Sequence, residues 1–167
     1  MAYRVAIITL SDKGAKGERE DKSGPVIEEM VTAAGYRVVS YQLLNDDRRG
    51  LSDALIDICD NHRADLVLTT GGTGFSQRDN APEATMDVVE RNVPGIAEAM
   101  RVNGLQYTPR SMLSRAASGI RKYTLIVNLP GSPKAVRENL GYILPTLGHG
   151  IAILVGDAAE CARPDNG

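Results

Sequence analysis

Leu66-Val67-Leu68-Thr69-Thr70-Gly71-Gly72-Thr73-Gly74 decides the fold. Its first five residues are apolar or β-branched and read as a short strand buried on both faces, and the glycines after them turn the chain toward a helix beginning near Pro82. The same unit recurs on either side. Upstream, Val5 to Leu10 is a buried strand that stops at Ser11 and Asp12, followed by a polar, glycine-containing loop. Ser23 and Pro25 then mark a helix start, Ile27, Met30, Val31 and Ala34 keep helical spacing, and Gly35 supplies the stop. Arg37 to Leu44 reads as a second strand. Asp46 or Asp47 caps the next helix, whose Leu51, Ala54, Leu55 and Ile58 share one face.

Downstream, Pro94 and Gly95 separate the helix near Pro82 from another around Ile96 to Asn103. Ala117 to Leu129 holds two extended stretches, of which Leu125 to Leu129 is the more apolar. Pro130 to Pro133 opens a helix carrying Val136, Leu140, Ile143 and Leu147 on one face, with Pro145 as an expected kink. Strands alternating with helices predict an α/β fold, a three-layer α-β-α sandwich around a mostly parallel sheet. Residues 1–162 are expected to form one domain and 163–167 a polar tail.

The 167-residue chain carries a formal charge of −2, no Trp and one Phe. That leaves neither a basic face nor a set of stacking rings for nucleic acid. Cys59 and Cys161, with His62 and His149, form no zinc spacing or disulfide framework, and no apolar run spans a bilayer, so a cytoplasmic protein with no membrane partner is expected. Cys59 belongs to the core side of its helix, and His62 to that helix's end.

Three proposed strands end in small or polar segments: Ser11-Asp12-Lys13-Gly14, Thr70-Gly71-Gly72-Thr73-Gly74 and Leu129-Pro130-Gly131-Ser132-Pro133. In a parallel sheet these ends share the edge where ligands bind. Gly71 to Gly74 match neither a P-loop nor a dinucleotide fingerprint; alone, they read equally as a tight turn or as a phosphate cradle. Arg78 and Asp79 follow directly and offer a cation for an anion and a hard oxygen ligand for a metal. Asp46 and Asp47, at another strand's end, bring a second carboxylate toward the same edge. Read alone, Asp46 is a helix cap before it is a metal ligand, and Asp79 reads also as a solvated turn residue; Ser132 is an N-cap that also leaves a helix amino terminus open to anions. Arg78 and Lys134 read as anion partners or as solvated charges.

Thr69 to Gly74 through Arg78-Asp79 and Pro82-Glu83-Ala84-Thr85 resembles the molybdopterin adenylyltransferase family. Ser11-Asp12-Lys13, Asp21-Lys22-Ser23-Gly24-Pro25, Leu44-Asn45-Asp46-Asp47, Ser114-Arg115 and Asn128 to Lys134 match it in order, from about Arg4 to Leu147. The family includes Mog-type enzymes, MoaB-type relatives and the corresponding domains of gephyrin and its plant counterpart. The resemblance implies that the phosphate of molybdopterin attacks the α-phosphorus of ATP, with Mg²⁺ as cofactor, to give adenylyl-molybdopterin and pyrophosphate. It also implies a homotrimer or a dimer of trimers, in transient contact with a molybdenum-insertion protein. Asp46 and Asp79 correspond to the essential carboxylates and are expected to hold the metal. Ser11, Asp12, Thr70, Gly71, Gly72, Thr73, Gly74, Arg78, Pro130, Gly131, Ser132 and Lys134 are expected to line the ligand cleft. The competing expectations are a MoaB-type pterin-binding homologue without transferase activity and an oligomeric scaffold. Competence-damage proteins carry a related domain but are longer.

Overall fold

Alternating burial along the strands divides the apolar side chains between two cores. In β1 (Arg4–Leu10), Val5 and Ile7 pack on one side of the sheet and Ala6, Ile8 and Leu10 on the other. Leu66 and Leu68 of β3 (Leu66–Thr70) oppose Val67 in the same way, and Val127 and Leu129 of β6 (Thr124–Leu129) oppose Ile126. Each such Leu, Ile or Val, fully buried, contributes about 1.5–3 kcal/mol relative to exposure. The first core is covered by α2 (Ser23–Ala33), α5 (Pro94–Gly104) and α6 (Pro133–Val155), and the second by α3 (Arg48–Asp60) and α4 (Ala81–Val88). The expected α-β-α layering is present.

The computed structural model describes residues 2–157; Cys161 and the expected tail at 163–167 lie outside the described residues. The sheet order is β2-β1-β3-β6-β5-β4, with β2 at Arg37–Leu44, β5 at Ser118–Arg121 and β4 at Arg91–Asn92. β2, β1, β3 and β6 run parallel, while β5 and β4 pair antiparallel at one edge. Register brings the carboxyl ends level: Leu10 pairs with Leu44, Thr9 with Thr70 and Thr70 with Leu129. The segments that follow these strands therefore start from one edge.

Local details complete the picture, with Cys59 in the core and His62 at the end of its helix as expected. The loop after β1 begins with a single helical turn, α1 (Asp12–Ala15), capped by Ser11 Oγ, which accepts from Gly14 N–H at 3.0 Å. A 3-10 helix spans Pro109–Leu113. α6 runs on through Pro145, where burial of Ile143, Leu144, Leu147 and Ile151 holds the helix across the missing N–H. His62 ends α3 with φ +50°, and His149 lies within α6. Cys59 is buried, which pushes its thiol up to about 11 and leaves it inert. Among the described residues, no helix is long and apolar enough to cross a membrane.

Candidate active site

The carboxyl edge of the parallel strands opens into a cavity of roughly 650 Å³. Thr9, Leu10 and Ser11 line it from the end of β1 and the residue after it, Thr70, Gly71 and Gly72 from the end of β3 and the turn that follows, and Gly131 and Ser132 from the loop after β6. Gly71 and Gly72 make the turn at φ +94° and +70°, where side chains strain the backbone. A Cβ on Gly71 would meet the Leu10 carbonyl oxygen at 2.5 Å, so the strand ends close over the cavity only because that position is bare. Ser23 Oγ donates to the Gly131 carbonyl at 2.5 Å and Thr70 Oγ1 to the Pro130 carbonyl at 2.7 Å, which fixes the loop after β6 against its neighbours. Ser132 caps α6 by accepting from Ala135 N–H at 3.2 Å.

Asp46 and Asp79 both line this cavity, although they arrive on different loops. Two adjacent acids after β2 divide the work. Asp47 caps α3 by accepting from Gly50 N–H at 2.7 Å, which leaves Asp46 free to turn toward α1. Asp46 Oδ2 accepts from the Asp12 N–H and Asp12 Oδ1 from the Asp46 N–H, each at 3.0 Å. Asp12 is also gripped by a two-pronged ion pair from Arg78, at 2.8 and 2.9 Å. The hydrogen bonds from Arg78 hold the Asp12 carboxyl below the usual range. Asp46 goes the other way: burial, with the negative charges of Asp12 and Asp79 facing it, raises its carboxyl. The cavity therefore holds acidic charge that its own cations do not neutralise.

Asp79 closes a tight loop. Its Oδ2 accepts from Ser76 N–H at 2.9 Å, and its own N–H donates to the Ser76 carbonyl at 2.9 Å. A Cβ on Gly74 would come within 2.9 Å of Asp79 Oδ2, so glycine is needed where the loop starts. Arg115, in the segment before β5, reaches into the base of this loop. Its Nε donates to the Gly74 carbonyl at 2.8 Å and its Nη2 to the Asp79 carbonyl at 2.7 Å, while Nη1 pairs with Glu83 of α4. Burial opposes the charge of Glu83, but the hydrogen bond and charge of Arg115 outweigh it and hold that carboxyl low.

The expected site residues are not all gathered in one place. Ser11, Asp46, Thr70, Gly71, Gly72, Asp79, Gly131 and Ser132 face the acidic cavity, and Asp12 and Arg78 brace it. Thr73, Gly74 and Pro130 line a second cavity of roughly 410 Å³ with Met100, Leu113 and Ala116, on the other side of the glycine turn. Lys134 is exposed on the first turn of α6 and lines neither. Sequence reasoning gave no site role to Arg19, Glu20, Asp21 and Lys22, which line the acidic cavity before α2, although Asp21 and Lys22 stand in a matched motif. Asp21 was legible from its position, since Oδ1 accepts from both Ser23 and Gly24 N–H, at 3.0 and 3.1 Å, as a helix-entry acid does. Arg115 and Glu83 had only their place in the motifs to mark them.

A metal fits this arrangement in one form. Among the described residues no group of three or more His, Cys, Asp or Glu side chains is assembled to hold an ion. Two carboxylates that repel one another across an open cavity suit a hard cation whose remaining ligands are phosphate oxygens and water, which is the manner of Mg²⁺.

Comparison with known proteins agrees with the fold. Residues 6–149 match the family described as "Probable molybdopterin binding domain". The chain is 39% identical over 155 residues to the molybdopterin adenylyltransferase of Helicobacter pylori strain J99, covering 92% of this chain and 88% of that protein. It superposes on the crystal structure of the molybdopterin biosynthesis enzyme MoaB from Thermus thermophilus with a TM-score of 0.87 and 45% identity, over 92% of this chain and 97% of that one. The tungsten cofactor synthesizing protein MoaB from Pyrococcus furiosus gives 0.83 and 34%, over 92% and 97%.

Proposed function

This chain belongs to the molybdopterin-binding-domain family, and from that premise we propose that it is a molybdopterin adenylyltransferase, joining the AMP moiety of ATP to the terminal phosphate of molybdopterin. A pterin phosphate oxygen bonds to the α-phosphorus of ATP as the bond from that phosphorus to the β-phosphate oxygen breaks, releasing pyrophosphate. The observation that carries the reading is the meeting of Asp46 and Asp79, from separate loops, at one cavity floored by Gly71 and Gly72.

The chain's own residues hold and orient; none acts as a nucleophile. The Gly71 N–H is spent on the Leu129 carbonyl at 3.3 Å, and it is the bare Cα positions of Gly71 and Gly72 that let a phosphate come close to the backbone of the turn. Asp46 and Asp79 are the carboxylates that would hold Mg²⁺, and the chemistry the ion would supply is positive charge for the phosphate oxygens of the nucleotide. Arg78 keeps Asp12 charged and in place, and Asp12 fixes Asp46 through their reciprocal backbone bonds. Aligning two bound phosphates in this way converts an encounter between two ligands into a step within one complex.

The active unit takes in residues 1–162, works in the cytoplasm and assembles as a trimer or a dimer of trimers that hands its product to a molybdenum-insertion protein. An exposed apolar band, Val102, Leu105, Tyr107, Met112 and Leu113, along α5 and the 3-10 helix supports association with further copies. The direct test is incubation with molybdopterin and Mg-ATP, read by mass for adenylyl-molybdopterin and by pyrophosphate release. Pterin binding with neither product would instead identify a binding homologue without transferase activity.

A further inference from the structure

Asp79 sits at the end of an exposed loop, yet its proposed task demands placement to within a fraction of an ångström. Residues 75–78 are all exposed, and Phe75 is 72% exposed, so packing does not hold the loop. The Ser76–Asp79 bonds shape it and the Arg78–Asp12 pair ties its middle to α1, while its two ends are held by hydrogen bonds converging on one side chain from outside the loop. The guanidinium of Arg115 takes the carbonyl of Gly74 at the loop's start and the carbonyl of Asp79 at its end, at 2.8 and 2.7 Å. The Arg115 backbone N–H adds a third bond, to the Thr73 carbonyl at 2.9 Å. Its remaining prong is anchored on Glu83 in the first turn of α4, so the clamp is tied to a helix rather than to another loop. Glu83 Oε2 is buried and accepts no hydrogen bond among the described residues, so Arg115 carries its charge compensation.

We propose that Arg115 is a positioning residue for the adenylyl transfer. It staples both ends of the 74–79 loop to α4 and so sets where the Asp79 carboxylate stands in the acidic cavity. The proposal rests on the reading of Asp79 as a metal-directed carboxylate, and it assigns Arg115 no contact with substrate. A planar fork with fixed donor directions is required, because two carbonyls and a carboxylate must be met at once; a lysine ammonium at the same place has neither the reach nor the geometry.

The test compares the full chain with Arg115→Gln, Arg115→Lys and Glu83→Gln in two measurements. The first is amide hydrogen exchange of residues 74–80 without any ligand. The second is kcat and KM for Mg-ATP and for molybdopterin. Arg115→Gln and Arg115→Lys are expected to speed exchange at Ser76 and Asp79 by about 10-fold or more, a loss equivalent to breaking hydrogen bonds to a charged group. They are also expected to lower kcat about 100-fold with a smaller change in either KM. Glu83→Gln keeps an acceptor for Nη1 and falls between these variants and the natural chain, and it carries the test if the Arg115 variants do not fold. Unchanged loop exchange in folded variants overturns the proposal whatever kcat does. Faster exchange with kcat unchanged in an active enzyme overturns it too. An inactive natural chain whose loop still loosens in the variants refutes the adenylylation reading and leaves the staple standing.

Discussion

One turn of chain separates two cavities of opposite character. On one side Gly71 and Gly72 face Asp46 and Asp79; on the other Thr73 and Gly74 face Met100, Leu113 and Ala116. The first is walled by the ends of parallel strands, where backbone polarity and acids converge, and the second by α5 and the 3-10 helix, whose Met100 and Leu113 stand there beside Arg101 and Arg110. A four-residue glycine-rich turn reaches both because glycine permits the reversal at Gly71 and Gly72. The contrast assigns the paired aspartates to one side alone, and substitutions on either side test that division.

The largest expected effect is on the acidic side. Asp46→Asn and Asp79→Asn keep size and fold but remove the charge that holds a cation, and each should lower adenylylation on the order of 10²–10³-fold, in line with losing one preorganised charge interaction at a transition state. Folded variants with undiminished turnover would remove the mechanism. Next is the dividing turn itself. Gly71→Ala forces a Cβ toward the Leu10 carbonyl at φ +94°, and chemical denaturation should show a loss of about 1–3 kcal/mol. On the apolar side, Gly104→Ala would drive a Cβ into Ser111 Oγ and push the 3-10 helix away. The cost should be about 1–2 kcal/mol, with Mg-ATP affinity by calorimetry unaltered; weakened Mg-ATP binding would break the division.

The smallest effect concerns pH. The Asp46 carboxyl is raised by burial and by its acidic neighbours, so the native state keeps a proton there at a pH where the unfolded chain has released it. Stability from this group therefore falls as pH rises from the ordinary carboxylate value through the raised one. Thermal melts of the natural chain and Asp46→Asn, without Mg²⁺, should agree on the acidic side of that window and separate above it, with the Asn variant the more stable. Asp12, held low by Arg78, has the opposite sign: its contribution is present above its unfolded value and fades as pH falls through the folded one. A melt difference that does not vary across this window would mean that Asp46 is not crowded by charge.

The parallel half of the sheet was legible because Leu66–Thr70 carries its burial in its composition and Arg37–Leu44, which alternates between exposed and half-buried, is rich in β-branched and apolar residues, and observed strands coincide with both. β4, two exposed residues, and the 3-10 helix at Pro109–Leu113 carry no such pattern, since tertiary pairing rather than local preference creates them. Within the site, Asp46 and Asp79 were readable from their strand ends and motifs. The division of labour between Asp46 and Asp47 was not, because either acid caps α3 equally well in sequence; the reciprocal bond with Asp12, 34 residues away, decides it. Arg115 escaped for the same reason: its three acceptors lie 32 to 41 residues distant.

The mutual bond between Asp12 and Asp46 acts as a clasp between two otherwise separate turns. Neither turn can gain or lose a residue without dragging the other, and Arg78 with it, out of alignment. Length changes in the 44–47 turn should therefore be poorly tolerated even when charge is preserved.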